Sequence, residues 1–177
     1  MELHRHETTL TDGRVVVRTP IPADADAVAA AVSVSLEELA PWMPWATPAY
    51  DREAALGWIM GRFDPTEVGF VISDDSGEIL GTCGLNLFDT ANHRANLGYW
   101  LRSDATGHGI ATAAAILVAR HGAETLGLHR MEVIMSVRNE PSRRVAERMG
   151  AVHEGVLRGR LLLHGEFHDA HLYSIVG

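Results

Sequence analysis

Short alternating and continuous apolar runs dominate this chain, and helical spacing appears in a few longer stretches. Arg14-Val15-Val16-Val17-Arg18-Thr19 reads as a first strand. Pro20 and Pro22 end it. An Ala- and Val-rich stretch from Asp24 to Leu39 predicts a helix, and Arg52 to Phe63 predicts a second. Between them, Pro41, Pro44 and Pro48 exclude a helix interior because each removes a backbone donor. Three strands follow, over Val68–Ser73, Glu78–Phe88 and His93–Arg102. Asp74-Asp75-Ser76-Gly77 joins the first two and Asp89-Thr90-Ala91-Asn92 the last two, so they predict an antiparallel meander.

Ile110 to Leu126 predicts a helix whose Ile110, Ala113, Ala114, Leu117 and Val118 share one sheet-packing face. Met131–Val137 reads as a strand and Pro141–Met149 as a short helix. Two final strands, Val152–Leu163 and Phe167–Val176, turn at His164-Gly165. The order is βααβββαβαββ. A strand, a helix and a strand around residues 107–109 imply one parallel pair with a crossover helix. The expected fold class is therefore α/β (α+β): a mixed, mostly antiparallel central sheet with helices on both faces.

With 177 residues, no repeat and no evident linker, the chain is expected to form one domain over 1–177. No apolar run approaches the ~20 residues of a membrane span. Met1-Glu2-Leu3-His4-Arg5-His6 lacks a signal-peptide pattern. Cys83 is the single cysteine, which excludes an internal disulfide. These features suggest a cytoplasmic protein with no membrane partner. A net charge of −8, from 23 acidic and 15 basic residues, argues against a nucleic-acid partner and is compatible with a cationic substrate.

Two segments carry chemistry. In the first, Tyr99-Trp100-Leu101-Arg102 runs into Gly107-His108-Gly109 and then directly into the helix at Ile110-Ala111-Thr112. Unpaired N–H groups and the positive end of a helix dipole meet there, as a phosphate or pyrophosphate requires. Taken alone, Gly-x-Gly is equally an ordinary tight turn. It is not a dinucleotide fingerprint, since the third glycine is missing, nor a P-loop, since no Gly-Lys-Ser/Thr follows. In the second segment Asn139 suits an N-cap, Pro141 the first helical turn and Gly150 the C-cap. Ser142 precedes Val145, Ala146 and Met149 at helical spacing, so its hydroxyl faces inward. Such a hydroxyl either bonds local backbone or is aimed at a bound cofactor.

Together these segments resemble the GCN5-related N-acetyltransferase (GNAT) superfamily, whose pyrophosphate loop reads Gln/Arg-x-x-Gly-x-Gly/Ala. Gly109 and Ala111 fit that loop, and Thr106 stands in place of Gln/Arg. The chain is more specifically similar to the RimJ/RimL group of ribosomal-protein N-terminal acetyltransferases. That match rests on Leu39 to Ala46, on Leu97-Gly98-Tyr99-Trp100-Leu101, on Asn139 and Ser142 with Gly150, and on Gly165 to Asp169 with Tyr173.

The resemblance implies the GNAT fold, in which the parallel strand pair splays apart and acetyl-coenzyme A lies in the gap. It implies that Trp100, Leu101 and Arg102 offer backbone groups to the pantetheine arm. By the same resemblance Gly107, His108, Gly109, Ile110, Ala111 and Thr112 hold the pyrophosphate, Asn139 bonds the cofactor, and Ser142 lies near its sulfur. Trp42 and Trp45 would wall the acceptor site, the alternative being two core tryptophans that pin the N-terminal helices. Two carboxylates found in relatives are replaced here by Leu161 and Asn96. Glu132 remains as a candidate base, the alternative being a carboxylate paired with an arginine; otherwise water carries the proton.

Three histidines, His164, His168 and His171, give no familiar metal-ligand spacing, so no metal is expected. The expected activity is acetyl transfer to a primary amine by direct attack in a ternary complex. The acceptor is a protein or peptide N-terminus or, alternatively, a small amine such as a polyamine or antibiotic; a non-catalytic acyl-coenzyme A-binding module is the third reading. Homodimers are common in the resembling group.

Overall fold

A computed structural model describes residues 7–177; Met1–His6, where a targeting signal was sought, lie outside the described residues. Among the described residues eight strands form one sheet in the order β1-β2-β3-β4-β5-β6-β8-β7. They are β1 Thr9–Thr11, β2 Val16–Arg18, β3 Val68–Ser73, β4 Ile79–Asp89, β5 Arg94–Leu101, β6 Arg130–Ser136, β7 Val152–Leu163 and β8 Glu166–Val176. Every neighbouring pair is antiparallel except β5–β6. The mixed, mostly antiparallel sheet and its one parallel pair agree with the sequence reading.

Helix α4, Ile110–Glu124, is the crossover between the parallel strands. It buries Ala113, Ala114, Leu117 and Val118 against Val17, Phe70, Leu85 and Leu97 of the sheet. Its small residues bring it close: a Cβ on Gly122 would lie 3.2 Å from Leu85 Cδ1. Helix α5, Glu140–Arg148, adds Ala146 to the same core. The opposite face is covered by α1, Ala25–Ser33, and α3, Arg52–Ile59, whose Val28, Val32, Ala55 and Ile59 pack with Val71 and Trp100.

Three elements differ from the sequence expectation. Strand β1 was not foreseen; Asp12 Oδ1 accepts the N–H groups of Arg14 and Val15 and turns the chain back onto β2. The helix expected over Asp24–Leu39 divides into α1 and a short α2, Leu36–Leu39. The break lies at buried Ser35, whose hydroxyl accepts the Ser103 N–H at 3.0 Å. The second helix stops at Ile59, because Gly61 turns left-handed (φ 69°) and Arg62 N–H closes onto Gly57 O.

A half-buried ion pair ties β2 to the start of α1. Arg18 meets Asp24 through two bonds of 2.8 Å, and Asp24 also accepts the Ile21 N–H. Burial alone would raise the Asp24 carboxyl, but these bonds win and hold it below its ordinary 3.8. A depressed folded-state pKa stabilises the protein above 3.8 and loses that contribution as pH falls through the folded value. Asp24→Asn should therefore cost about 2–3 kcal/mol at neutral pH. It should also flatten the acid limb of the stability curve below that pH, as urea unfolding across a pH series would show.

Candidate active site

The parallel pair separates soon after it begins. Pairing stops at Asn96↔Glu132, while β5 continues to Leu101 and β6 to Ser136. The Arg102 N–H donates to Leu80 O at 2.7 Å. By strand alternation Trp100 shares that orientation, and Tyr99 and Leu101 turn their backbone groups into the gap. Of the three residues nominated for the pantetheine arm, Leu101 thus faces the gap. Trp100 faces β4 and sends its indole to the opposite side of the sheet, and the Arg102 amide is occupied. The Arg102 guanidinium is occupied too, by Glu78 and Asp104 at 2.6 Å each.

Beyond the gap, a 3-10 turn over Ser103–Ala105 leads to Gly107 and Gly109, both left-handed (φ 82° and 77°). The first helical bond of α4 runs from Ala113 N–H to Gly109 O. Ile110, Ala111 and Thr112 therefore present their N–H groups at the positive end of a 15-residue helix. The Thr112 hydroxyl is buried without a hydrogen-bond partner among the described residues. His108 is exposed beside this turn. Backbone donors plus an orphaned hydroxyl form a donor set that fits a pyrophosphate. A Cβ on Gly109 would meet nothing within 4 Å, so the glycine is needed for its backbone angle alone. Gly109→Val should weaken acetyl-coenzyme A binding about tenfold, given the roughly 1–2 kcal/mol cost of a left-handed β-carbon. Isothermal titration would measure it.

Across the gap, α5 begins at Asn139, whose Oδ1 accepts the Ser142 N–H at 3.2 Å. The Tyr99 hydroxyl lies 3.0 Å from Ser142 O and 3.2 Å from Ser142 Oγ. With one proton each, Tyr99 donates to the carbonyl and accepts from the Ser142 hydroxyl. Burial pushes the Tyr99 phenol up, so it stays protonated. This bridge joins the splayed strand to the helix start.

On the other face of β5 lies a cleft of 460 Å³. Trp42, Trp45, Tyr50, Trp58 and Trp100 wall it, Gly84 and Gly98 floor it, and Glu67 and Asn86 add polar groups. Trp45 stacks obliquely on Tyr50 at 5.2 Å and on Trp100 at 6.1 Å, yet stays 43% exposed. Trp42 and Trp45 thus stand in the cleft wall.

Residues 14–152 match a family model described as an acetyltransferase (GNAT) domain. The chain belongs to the GNAT acetyltransferase family. It is 29% identical to the provisionally named ribosomal N-acetyltransferase YdaF of Bacillus subtilis (strain 168), over 96% of this chain and 94% of that one. It is 32% identical to the ribosomal-protein-serine acetyltransferase of Escherichia coli (strain K12), over 55% of this chain and 54% of that protein. Its fold superposes on Mycobacterium smegmatis RimJ in complex with CoA-disulfide with a TM-score of 0.84 and 29% identity, covering 97% and 87% of the two chains. The chain is thus an N-acetyltransferase with acetyl-coenzyme A as its cofactor, and its fold is the GNAT fold.

Within this GNAT framework Glu132 sits at the closed end of the parallel pair. It accepts from Arg94 at 3.2 Å and from Arg130 at 2.8 Å, which suits an ion-pair role better than proton transfer. Asn96 donates its side-chain amide to Asn86 Oδ1 at 2.9 Å. Burial pushes the Cys83 thiol up to about 12 and leaves it inert in the core. His168 bonds Ser136, His171 bonds His153, and His164 bonds Ala40 O. Among the described residues no group of three or more His, Cys, Asp or Glu is placed to hold a metal ion, and no helix is long and apolar enough to cross a membrane.

Tyr99, Tyr50, Trp58 and Glu67 were not singled out from sequence. Tyr99 stands inside the Leu97–Leu101 motif, where a tyrosine on a splayed strand was a usable signal. Glu67 and Tyr50 come from loop and strand-start positions with no periodicity to mark them.

Proposed function

We propose that this GNAT enzyme acetylates a protein or peptide N-terminal α-amine, by direct attack of the amine within one ternary complex. The observation that carries the reading is the meeting of two openings at β5: the cofactor gap on one edge and the aromatic cleft over Gly98 on one face. An acceptor in the cleft and a cofactor in the gap would approach each other at Gly98 and Tyr99. The rim supports a peptide, since Trp45 and Phe63 are 43% and 71% exposed beside the cleft.

Acetyl-coenzyme A supplies an acetyl group activated as a thioester. The gap-facing N–H groups of Tyr99 and Leu101 are placed to stabilise negative charge on the carbonyl oxygen. The Ser142 hydroxyl, whose one proton points to the Tyr99 oxygen, would turn that proton to the departing sulfur when the thioester lies in the gap. Asn139 fixes Ser142 by capping its helix. The amine must lose a proton to attack. An α-amine titrates at roughly 7.7–8.0, so solvent water suffices as acceptor. We assign no base role to Glu132. Residues 1–177 are taken as one catalytic unit working in the cytoplasm.

The test is release of coenzyme A thiol from acetyl-coenzyme A with a panel of peptides bearing free N-termini. Peptide-dependent release supports the reading, and the panel reports which first residues are accepted. Release with small amines only would transfer the assignment to a small-molecule acetyltransferase.

A further inference from the structure

The C-terminal hairpin meets the wall of the acceptor cleft through the His164 side chain. Strands β7 and β8 are joined by His164-Gly165, both left-handed (φ 51° and 83°), a two-residue turn that matches the twist of a hairpin. Glycine takes that angle freely. A histidine there carries strain, and strain held at one residue points to a use for its side chain. The ring has one: His164 Nε2 lies 2.7 Å from Ala40 O. A carbonyl only accepts, so Nε2 carries the proton and donates. Leu163, just before the turn, is buried, so the hairpin is packed up to its tip.

Ala40 is where the cleft wall needs a donor. The Trp42 and Met43 N–H groups both turn back to Leu39 O. The next amide in that turn would reach Ala40 O, but Pro44 has no N–H. His164 supplies the donor that Pro44 lacks. The other end of the segment is fixed separately: Ser35 Oγ accepts the Ser103 N–H at 3.0 Å, and Glu38 Oε2 accepts the Ser103 hydroxyl at 2.7 Å. Segment 35–40 is thus tied on one side of the cofactor gap to the turn after β5, and on the other to the hairpin beyond β6. Trp42, Met43, Pro44 and Trp45, which follow it, all line the cleft.

We propose that His164 is a positioning residue for the acceptor: its bond to Ala40 O holds the wall of residues 42–45 in place, so that the acceptor is gripped over Gly98. This rests on the acceptor reading above and adds a residue which that reading does not use. The ring acts through the wall, and a wall remote from the reacting atoms is felt equally in ground and transition states. Its loss should therefore appear in KM and not in kcat.

The test measures kcat and KM for a peptide with a free N-terminus in the wild type, His164→Gly and His164→Gln, with acetyl-coenzyme A affinity and melting curves beside them. Glycine keeps the left-handed turn and removes the donor. Glutamine returns a side-chain N–H. His164→Gly should raise the peptide KM roughly 2- to 13-fold, the effect of one lost hydrogen bond. Its kcat, cofactor affinity and melting temperature should stay close to the wild-type values, and His164→Gln should recover most of the lost affinity. An unchanged KM in His164→Gly would overturn the proposal, as would a KM that stays fully raised in His164→Gln. A fall in kcat alone would overturn it by putting the ring at the reacting groups. A joint loss of kcat, cofactor affinity and melting temperature would overturn it by showing a hairpin that only stabilises the fold. Each of these outcomes leaves the acetyltransferase reading in place. No turnover of any peptide by the wild type, cofactor binding intact, would overturn the acceptor reading and the positioning role with it.

Discussion

Gly98→Val is expected to reduce amine transfer at least about 100-fold while leaving the sheet folded. The position lies on β5 where cleft and gap adjoin, and among the described residues an added Cβ would meet Asn96 Nδ2 alone, at 3.9 Å. A β-carbon fits the strand without a clash and points into the space assigned to the acceptor. The backbone there carries no left-handed strain, and replacing a strand glycine narrows the unfolded ensemble. Thermal stability should therefore equal or exceed that of the wild type. Gly81 shows the contrast: a Cβ there would lie 2.1 Å from Trp100 O, so Gly81→Ala should lose fold and activity together. Steady-state rates with a peptide acceptor, beside melting curves for both variants, separate a filled cleft from a broken sheet. Unchanged transfer in Gly98→Val would place the acceptor elsewhere.

The second large effect belongs to Ser142. Ser142→Ala should lower kcat by about 10²–10⁴, the usual range for a positioned proton donor. Acetyl-coenzyme A affinity should change little, since the backbone donors of the 107–112 turn remain. Tyr99→Phe should act through Ser142, because the phenol bonds both its hydroxyl and its carbonyl. Loss of a hydrogen bond with a net value of about 0.5–1.5 kcal/mol corresponds to a roughly 2- to 13-fold drop. If Tyr99 only positions Ser142, Tyr99→Phe should add almost nothing to Ser142→Ala. Fully additive effects in the double variant would show that Tyr99 contacts the reacting groups independently.

The turn at Gly107–Gly109 and the cap at Asn139 were legible in the sequence because their chemistry is local. A left-handed glycine, a helix start and a capping side chain each announce themselves within a few residues. The order of elements was legible for the same reason, from β3 through β8. What sequence could not supply was register. The splay depends on β5 and β6 pairing only through Asn96↔Glu132, and nothing in either strand's composition marks where pairing ends. Register also decides that Leu101, and not Trp100 or Arg102, turns its backbone to the gap. The helix break at Ser35 was hidden because its partner, Ser103, is 68 residues away. The sequence left Glu132 open between a base and an arginine-paired carboxylate, and the placement of Arg94 and Arg130 shows it engaged. The cleft was half visible: Trp42 and Trp45 stand beside helix-breaking prolines, whereas Tyr50, Trp58 and Glu67 reach it through tertiary packing.

The most direct test of the account is to locate the acetyl group on a product. A peptide with a free N-terminus and an internal lysine, incubated with enzyme and acetyl-coenzyme A, would be fragmented by tandem mass spectrometry. The account predicts one acetyl group, on the N-terminal nitrogen, and at least about 100-fold less of it in the Gly98→Val reaction. Acetylation of the lysine side chain with the N-terminus left free would contradict it.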